Sequence, residues 1–133
     1  MKLKKIIDWL DRELETGRFD DVSNNGLQVS GPDEISRVAF AVDASVMAVA
    51  DAVACGAQLL VVHHGISWGG GIRRISGGVF NVVKAAIEGG VAIAAYHLPL
   101  DANRKYGNNY ELARFLGLKN LKPAFPYHGN VMA

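Results

Sequence analysis

The sequence predicts a single α/β domain over residues 1–133, with three layers formed by a mostly parallel sheet and flanking helices. Two observations carry this prediction. Short apolar runs alternate along the chain with segments of helical spacing, an order typical of parallel sheets with crossover helices. A length of 133 residues and an apolar fraction of 50% also suit one domain with a substantial core.

The first predicted element is an amphipathic helix over residues 3–16, which Gly17 is expected to end. Apolar residues recur there at helical spacing between charged ones: Leu3, Ile6, Ile7, Leu10 and Leu14. The stretch that follows, residues 19–34, is rich in Asp, Asn, Ser and Gly. Its composition predicts a loop with room for one short strand.

Three buried strands are predicted from apolar runs at residues 37–43, 57–62 and 91–96. These runs are apolar throughout, as expected when both faces of a parallel sheet are covered. Asp43 to Ser45 can cap a helix after the first strand, because their side-chain oxygens can accept free N–H groups. Two more helices are predicted, over about 78–88 and over 108–118, the second with Leu112 and Phe115 facing inward.

Composition excludes several classes of protein. A net charge of +1 argues against a nucleic-acid-binding protein, in which one sign of charge should dominate. No apolar run approaches the roughly 20 residues of a membrane span, and the first residues lack the apolar core of a signal peptide. The single cysteine, Cys55, predicts a reducing, cytoplasmic setting.

Polar residues follow each predicted strand. Asp43 ends the first strand, His63 and His64 end the second, and His97 ends the third, with Asp101 close behind. Because ligands of α/β sheets bind beyond the carboxyl ends of the strands, these side chains are expected to share one edge. Imidazole and carboxylate groups are ligands for zinc, iron, manganese or nickel, so the pattern predicts a metal site.

The spacing indicates how such a site would be built. Adjacent residues of a strand point to opposite sides, so His63 and His64 are better suited to hold one ion each, with Gly65 permitting a turn. Two ions about 3.5–4 Å apart could then activate a water and clamp a substrate. Pro99 is expected to prevent a regular helix and to form a turn that brings Asp101 back towards the site.

A different interpretation also fits the residues. A histidine at the end of a strand is often just a hydrogen-bonded polar group near the core. The sequence therefore leaves three hypotheses open: a metal-dependent hydrolase, a non-catalytic metal-binding or regulatory scaffold, and a purely structural α/β module.

Three segments resemble the Nif-three-like dinuclear metal-binding proteins, described in bacteria as GTP cyclohydrolase 1 type 2 homologues. They are NNGLQVSG (24–31), VVHHGISWGG (61–70) and YHLPLDANRKYGNNYELARFLGL (96–118). The resemblance implies two divalent ions per site, with His63, His64 and Asp101 as ligands. It places His97 in the same cleft. We expect His97 to be a catalytic residue that could relay a proton or orient a ligand.

The resemblance also implies a partner and a substrate class. Family members are often homo-oligomers, including hexamers, and a nucleotide such as GTP is the expected small-molecule substrate. The family chain is nearly twice as long, and its second half supplies a His and a metal-bridging Glu in an HxxxE motif. Here His128 precedes Gly, Asn, Val and Met. The sequence thus resembles the first half only, either as a piece of a longer chain or as a form without the second half.

Overall fold

The computed structural model describes residues 1–127 and 130–132 and has a mixed α/β fold. His128, which the sequence shows without an HxxxE motif, lies outside the described residues. The elements follow in this order: α1 (Leu3–Glu13), β1 (Gly26–Val29), β2 (Val38–Asp43), α2 (Val46–Ala54), β3 (Leu59–His64), α3 (Gly77–Gly89), β4 (Ala92–Ala95), α4 (Leu98–Asp101), α5 (Asn108–Phe115), β5 (Phe125–Tyr127) and β6 (Asn130–Met132).

The first four strands form one sheet in the order β1-β4-β3-β2. Strands β2, β3 and β4 are parallel, and β1 joins β4 antiparallel. β5 and β6 form a separate antiparallel pair. The predicted α/β class, with a mostly parallel sheet and flanking helices, is confirmed, whereas the three-layer detail stays a prediction.

Two apolar clusters fix the helices on this sheet. One cluster joins Leu60 and Val62 of β3 to residues of α2 and α3, and the other joins Leu59 of β3 to residues of α1. The alternation follows from strand geometry, since successive side chains point to opposite faces. β4 is buried along its whole length, as its uniformly apolar sequence predicts.

Two predictions of burial are wrong. β2 lies at the edge of the sheet, and 77% of Phe40 and 64% of Val42 remain exposed. In α5, Leu112 and Phe115 face outward because the buried side of the helix carries Tyr110. The apolar run marked β2 correctly but not its exposure, and the helical spacing marked α5 correctly but not its buried face.

Local signals set most of the boundaries. The Ser45 side chain caps α2 by accepting from the Ala48 amide, as predicted. α1 ends at Glu13, earlier than predicted. The expectation that Pro99 prevents a helix is wrong, because α4 is a single turn in which proline occupies the tolerated first-turn position. Within the described residues, no helix is long and apolar enough to cross a membrane.

Candidate metal centre

The parallel register brings three histidines to one edge of the sheet. Asp43 pairs with His64 at the end of β2 and β3, and His97 follows β4 on the adjacent strand. The ring centroid of His63 lies 4.5 Å from that of His64 and 4.9 Å from that of His97. One ligand atom from each of the three rings lies within 4.8 Å of the other two. Residues distant in sequence therefore form one imidazole cluster.

Each of these rings is oriented by an acceptor at Nδ1. His63 Nδ1 lies 3.0 Å from the carbonyl oxygen of Tyr96. His64 Nδ1 lies 2.8 Å from Asp43 Oδ1, and His97 Nδ1 lies 2.9 Å from Asp21 Oδ1. Because a carbonyl or carboxylate oxygen can only accept, Nδ1 is the donor of each ring, and Nε2 is the nitrogen that remains for a metal ion. Three Nε2 atoms are thus available as ligands.

Asp101 lies beside this cluster. Its Oδ2 is 3.5 Å from Nε2 of His63, and Asn108 Nδ2 donates to its Oδ1 at 3.0 Å. The single turn of α4 carries Asp101 back to the sheet edge, and Asn108 fixes its carboxylate from the start of α5. The N-cap residue of α5 is Gly107, without a hydrogen bond from a capping side chain.

Asp21 is the residue that sequence reasoning missed. Its side chain is only 1% exposed. Both oxygens accept hydrogen bonds, from the Ser23 amide, the Asn25 side chain, the Leu98 amide and His97. Burial alone would raise the pKa of Asp21, but these hydrogen bonds outweigh it and hold the pKa below its ordinary value. A buried carboxylate that remains ionised therefore supports His97.

A second support comes from Gln28 on β1. Its Oε1 accepts from the amides of Ile66 and Ser67, at 2.7 and 3.1 Å. A Cβ at Gly65 would lie 2.2 Å from this oxygen, so only glycine allows the approach. Gln28 therefore fixes the turn that follows the two adjacent histidines.

Trp68 closes one side of the cluster. Its Nε1 donates to the carbonyl oxygen of Gly65 at 2.9 Å. Its ring centroid lies 5.2 Å from that of His97 and 6.1 Å from that of His64. About 37% of the residue is exposed, so Trp68 forms a partly open wall beside the imidazoles.

The chemistry of the donors fits a divalent first-row metal ion. Three imidazole nitrogens and one carboxylate are ligands that zinc, iron, manganese and nickel all accept. Histidines that bind metals usually donate their other N–H to a carboxylate or a carbonyl, and all three rings here have such a partner. The residues that could hold the ion are His63, His64, His97 and Asp101.

Curated relatives match nearly the whole of this chain. A protein of Pyrococcus horikoshii is 41% identical over 129 residues, which cover 97% of this chain and 51% of the relative. One of Archaeoglobus fulgidus is 43% identical and covers 97% and 52%. Both are named GTP cyclohydrolase 1 type 2 homolog. The chain spans about half the length of the curated relatives it matches.

Solved structures also match most of this chain and about half of their own length. TTHA1606 from Thermus thermophilus matches with a TM-score of 0.88 and 38% identity, over 93% of this chain and 51% of that one. Reduced HcgD from Methanocaldococcus jannaschii matches with a TM-score of 0.77 and 28% identity, over 94% and 50%. The sequence model of the Duf34/NIF3 (NGG1p interacting factor 3) family matches residues 1–131. The chain therefore belongs to the Duf34/NIF3 family, as its sequence motifs predict.

Proposed function

We propose that this chain supplies the metal-binding residues of a metal-dependent hydrolase that acts on a small molecule, with a nucleotide such as GTP as the leading candidate. One observation carries the proposal: the imidazoles of His63, His64 and His97 bring ligand atoms within 4.8 Å of one another, beside the carboxylate of Asp101. The names of the relatives support the nucleotide. Because the chain spans half of their length, the activity of the whole protein is part of the proposal.

The ligands of the expected dinuclear centre are His63, His64 and Asp101. A bound divalent ion lowers the pKa of a coordinated water and polarises a substrate carbonyl or phosphoryl group. Asp43 holds His64 with Nε2 directed away from its own carboxylate, and Asn108 keeps Asp101 oriented. Trp68 restricts water on one side of the cluster.

The number of ions follows from the number of donors. The expected ligands His63, His64 and Asp101 are three donor groups, which suit one ion with an open position. A second ion, as the dinuclear prediction requires, would need further ligands. We therefore expect one tightly held ion per chain from these residues, and a second where other donors join them.

A non-catalytic metal-binding or regulatory scaffold is the second candidate. One observation favours it: the three carboxylates that contact the imidazole cluster already have partners. Asp21 is bonded to His97, Asp43 to His64, and Asp101 to Asn108. A hydrolase would have to recruit its general base from one of these groups or from outside the described residues.

An assay of catalytic turnover distinguishes the hydrolase from the non-catalytic scaffold. The 133-residue chain, loaded with zinc or manganese, would be assayed with GTP and with simple phosphoesters. Hydrolysis that Asp101→Ala lowers at least about 100-fold, and that the exposed control Asp8→Asn leaves unchanged, supports the hydrolase. Metal binding without turnover of any of these substrates, both by this chain and by a chain of the relatives' full length, would overturn the hydrolase in favour of the scaffold.

Self-association belongs to the same proposal. Phe40, Val42 and Met47 are largely exposed and border one hollow beside the edge strand β2; we call them the β2 surface. Exposed apolar groups beside an unpaired strand edge are typical of sites that pair with another chain. We propose that a second copy of the chain covers this surface in a homo-oligomer, with the hexamer of the family as the expected form.

A cytoplasmic location stays a prediction that rests on the single cysteine.

A further inference from the structure

We propose that a hollow beside α4 binds a small organic anion, whose phosphate or carboxylate group is held by Arg104. This α4 hollow has a volume of about 500 Å³ and lies between the end of α1, the turn after α4 and the start of α5. Sites for small molecules commonly have volumes of about 300–1,000 Å³. The α4 hollow contains none of the histidines at the sheet edge, so binding there does not depend on the proposed metal centre.

The floor of the α4 hollow is apolar and firmly packed. Leu14, Pro99 and Tyr110 line it and are all buried. Leu14 belongs to the apolar cluster that packs α1 against the sheet, and Tyr110 is the buried residue of α5. Because packed core side chains hold their positions, this floor offers a fixed apolar contact to an organic group of about the size of one ring.

The rim of the α4 hollow has an unbalanced positive charge. Three cationic and two acidic side chains line it, and each acidic one already pairs with a cation. Glu13 Oε1 lies 3.3 Å from Nζ of Lys105, and Glu15 pairs with Arg18. Within residues 1–127 and 130–132, no ion pair or hydrogen bond joins the guanidinium of Arg104 to another residue. An anion is therefore the ligand that this rim favours.

The backbone of the turn that carries Arg104 is fixed from two directions. Asn103 Oδ1 accepts from the amides of Lys105 and Tyr106, both at 2.9 Å. Arg114 of α5 donates to the carbonyl oxygens of Arg104 and Lys105. Only the side chain of Arg104 has to be ordered when an anion binds, which lowers the entropic cost of binding. Its planar guanidinium can donate two parallel hydrogen bonds to a phosphate or a carboxylate.

The α4 hollow and the metal centre lie on different sides of α4. Pro99 and Ala102 are three residues apart, so they share the side of this turn that lines the hollow. Asp101 leaves the same turn in another direction, with Oδ2 3.5 Å from Nε2 of His63. An anion in the α4 hollow is therefore held by protein groups rather than by a metal ion.

Titration of the metal-free chain with three probes tests the proposal. Phenyl phosphate and benzoate combine an oxyanion with an apolar ring, whereas phenol supplies the ring without the charge. Binding would be followed by changes in the amide NMR signals of the 133-residue chain after dialysis against a chelator. We expect saturable binding of an anion and at least about 10-fold weaker binding of phenol, which lacks the charge-assisted hydrogen bonds to Arg104. The anion that binds more tightly identifies the oxyanion group.

Two variants locate the site. Arg104→Ala should weaken binding of the preferred anion at least about 10-fold, because its charged donor is lost. Ala102→Leu should also weaken binding, because the larger side chain fills part of the α4 hollow while every charge is kept. Arg74→Ala removes an exposed arginine that does not line the hollow, so this matched control should bind the anion normally.

Three results would overturn the proposal. They are the absence of saturable binding of either anion, binding that Arg104→Ala leaves unchanged, and loss of binding in the His63→Ala, His64→Ala double variant. The last result would place the anion at the sheet edge, whereas we expect the double variant to bind it like the unmodified chain. Failure of the metal centre and failure of the anion site thus give different results. If circular dichroism shows that Arg104→Ala does not fold, Arg104→Gln replaces it with the same expected loss.

Discussion

Asp21 and His97 lie 76 positions apart in the chain, yet Oδ1 of Asp21 accepts a hydrogen bond from Nδ1 of His97 at 2.9 Å. This contact joins the polar loop before β1 to the end of β4. It joins the loop to the proposed metal centre, because the same carboxylate also holds the amide of Leu98. Substitutions far from His63 and His64 in sequence should therefore alter metal binding.

Gly65→Ala should weaken metal binding through Gln28. The new Cβ would lie 2.2 Å from Gln28 Oε1, so the side chain must move and leave the amides of Ile66 and Ser67. We expect the free energy of unfolding to fall by about 1–3 kcal/mol and zinc affinity to fall about 10-fold. Chemical denaturation and chelator competition measure the two quantities.

Gly70→Ala is the control for this substitution. A Cβ there would meet nothing closer than an arginine side-chain atom at 3.8 Å, so both quantities should stay near those of the unmodified chain. Equal effects at the two glycines would contradict the role given to Gln28.

Asn108→Ala should weaken metal binding with little effect on stability. Its side chain donates to Asp101 Oδ1, and the residue is exposed, so the variant frees the Asp101 carboxylate without opening the core. We expect about a 10-fold loss of zinc affinity by competition titration, as for other partners of metal ligands. Asn81→Ala, on the exposed side of α3, is the comparison variant and should bind zinc normally. Unchanged affinity in Asn108→Ala would argue against Asp101 as a ligand.

Tyr96→Phe should lower stability without weakening metal binding, the reverse of the result expected for Asn108→Ala. Tyr96 is buried, and its hydroxyl donates to Asp11 Oδ1 at 2.9 Å. Burial, together with the charge of Asp11, raises the pKa of Tyr96, so the hydroxyl remains a donor across the working pH range. Its loss should lower the free energy of unfolding by about 1.5–3 kcal/mol, since the acceptor is a carboxylate.

Zinc affinity should be unchanged in Tyr96→Phe. His63 is oriented by the backbone carbonyl of residue 96, which the substitution keeps. A loss of affinity as large as that in Gly65→Ala would mean that the core, rather than the local contacts, controls the site.

Phe40→Glu should disrupt the proposed oligomer. Phe40 is 77% exposed on the β2 surface, and a charge there would be buried by a second copy. We expect the dissociation constant to rise at least about 10-fold in sedimentation experiments, with circular dichroism unchanged. Phe115→Glu, which alters an exposed residue of α5, tests the location. Dissociation by Phe115→Glu alone would move the interface away from β2.

The sequence predicted most of the sheet because uninterrupted apolar runs are typical of buried parallel strands. Strands β3 and β4 are apolar for most of their length and are largely buried, and the parallel register then places residues after their ends on one edge. This is why His63, His64, His97 and Asp101 could be expected to lie together. The position of β2 at the edge of the sheet could not be predicted, because nothing in residues 37–43 indicates that this strand lacks a neighbour.

The residues that orient the site, Asp21 and Gln28, could not be predicted from the sequence either. Asp20 and Asp21 are adjacent in a polar loop, and their residue type does not reveal which one is buried. Only the tertiary fold places Asp21 against His97 and Gln28 against the turn at Gly65. The prediction that Pro99 prevents a helix was wrong because proline is tolerated in the first turn, and α4 consists of a single turn.

Metal content tests the central claim most directly. The 133-residue chain would be purified without a nickel column, equilibrated with zinc, dialysed and analysed for zinc and iron. The account predicts about one ion per chain, and its loss in the His63→Ala, His64→Ala double variant. Less than about 0.2 ion per chain, with no difference between the unmodified chain and the double variant, would contradict it.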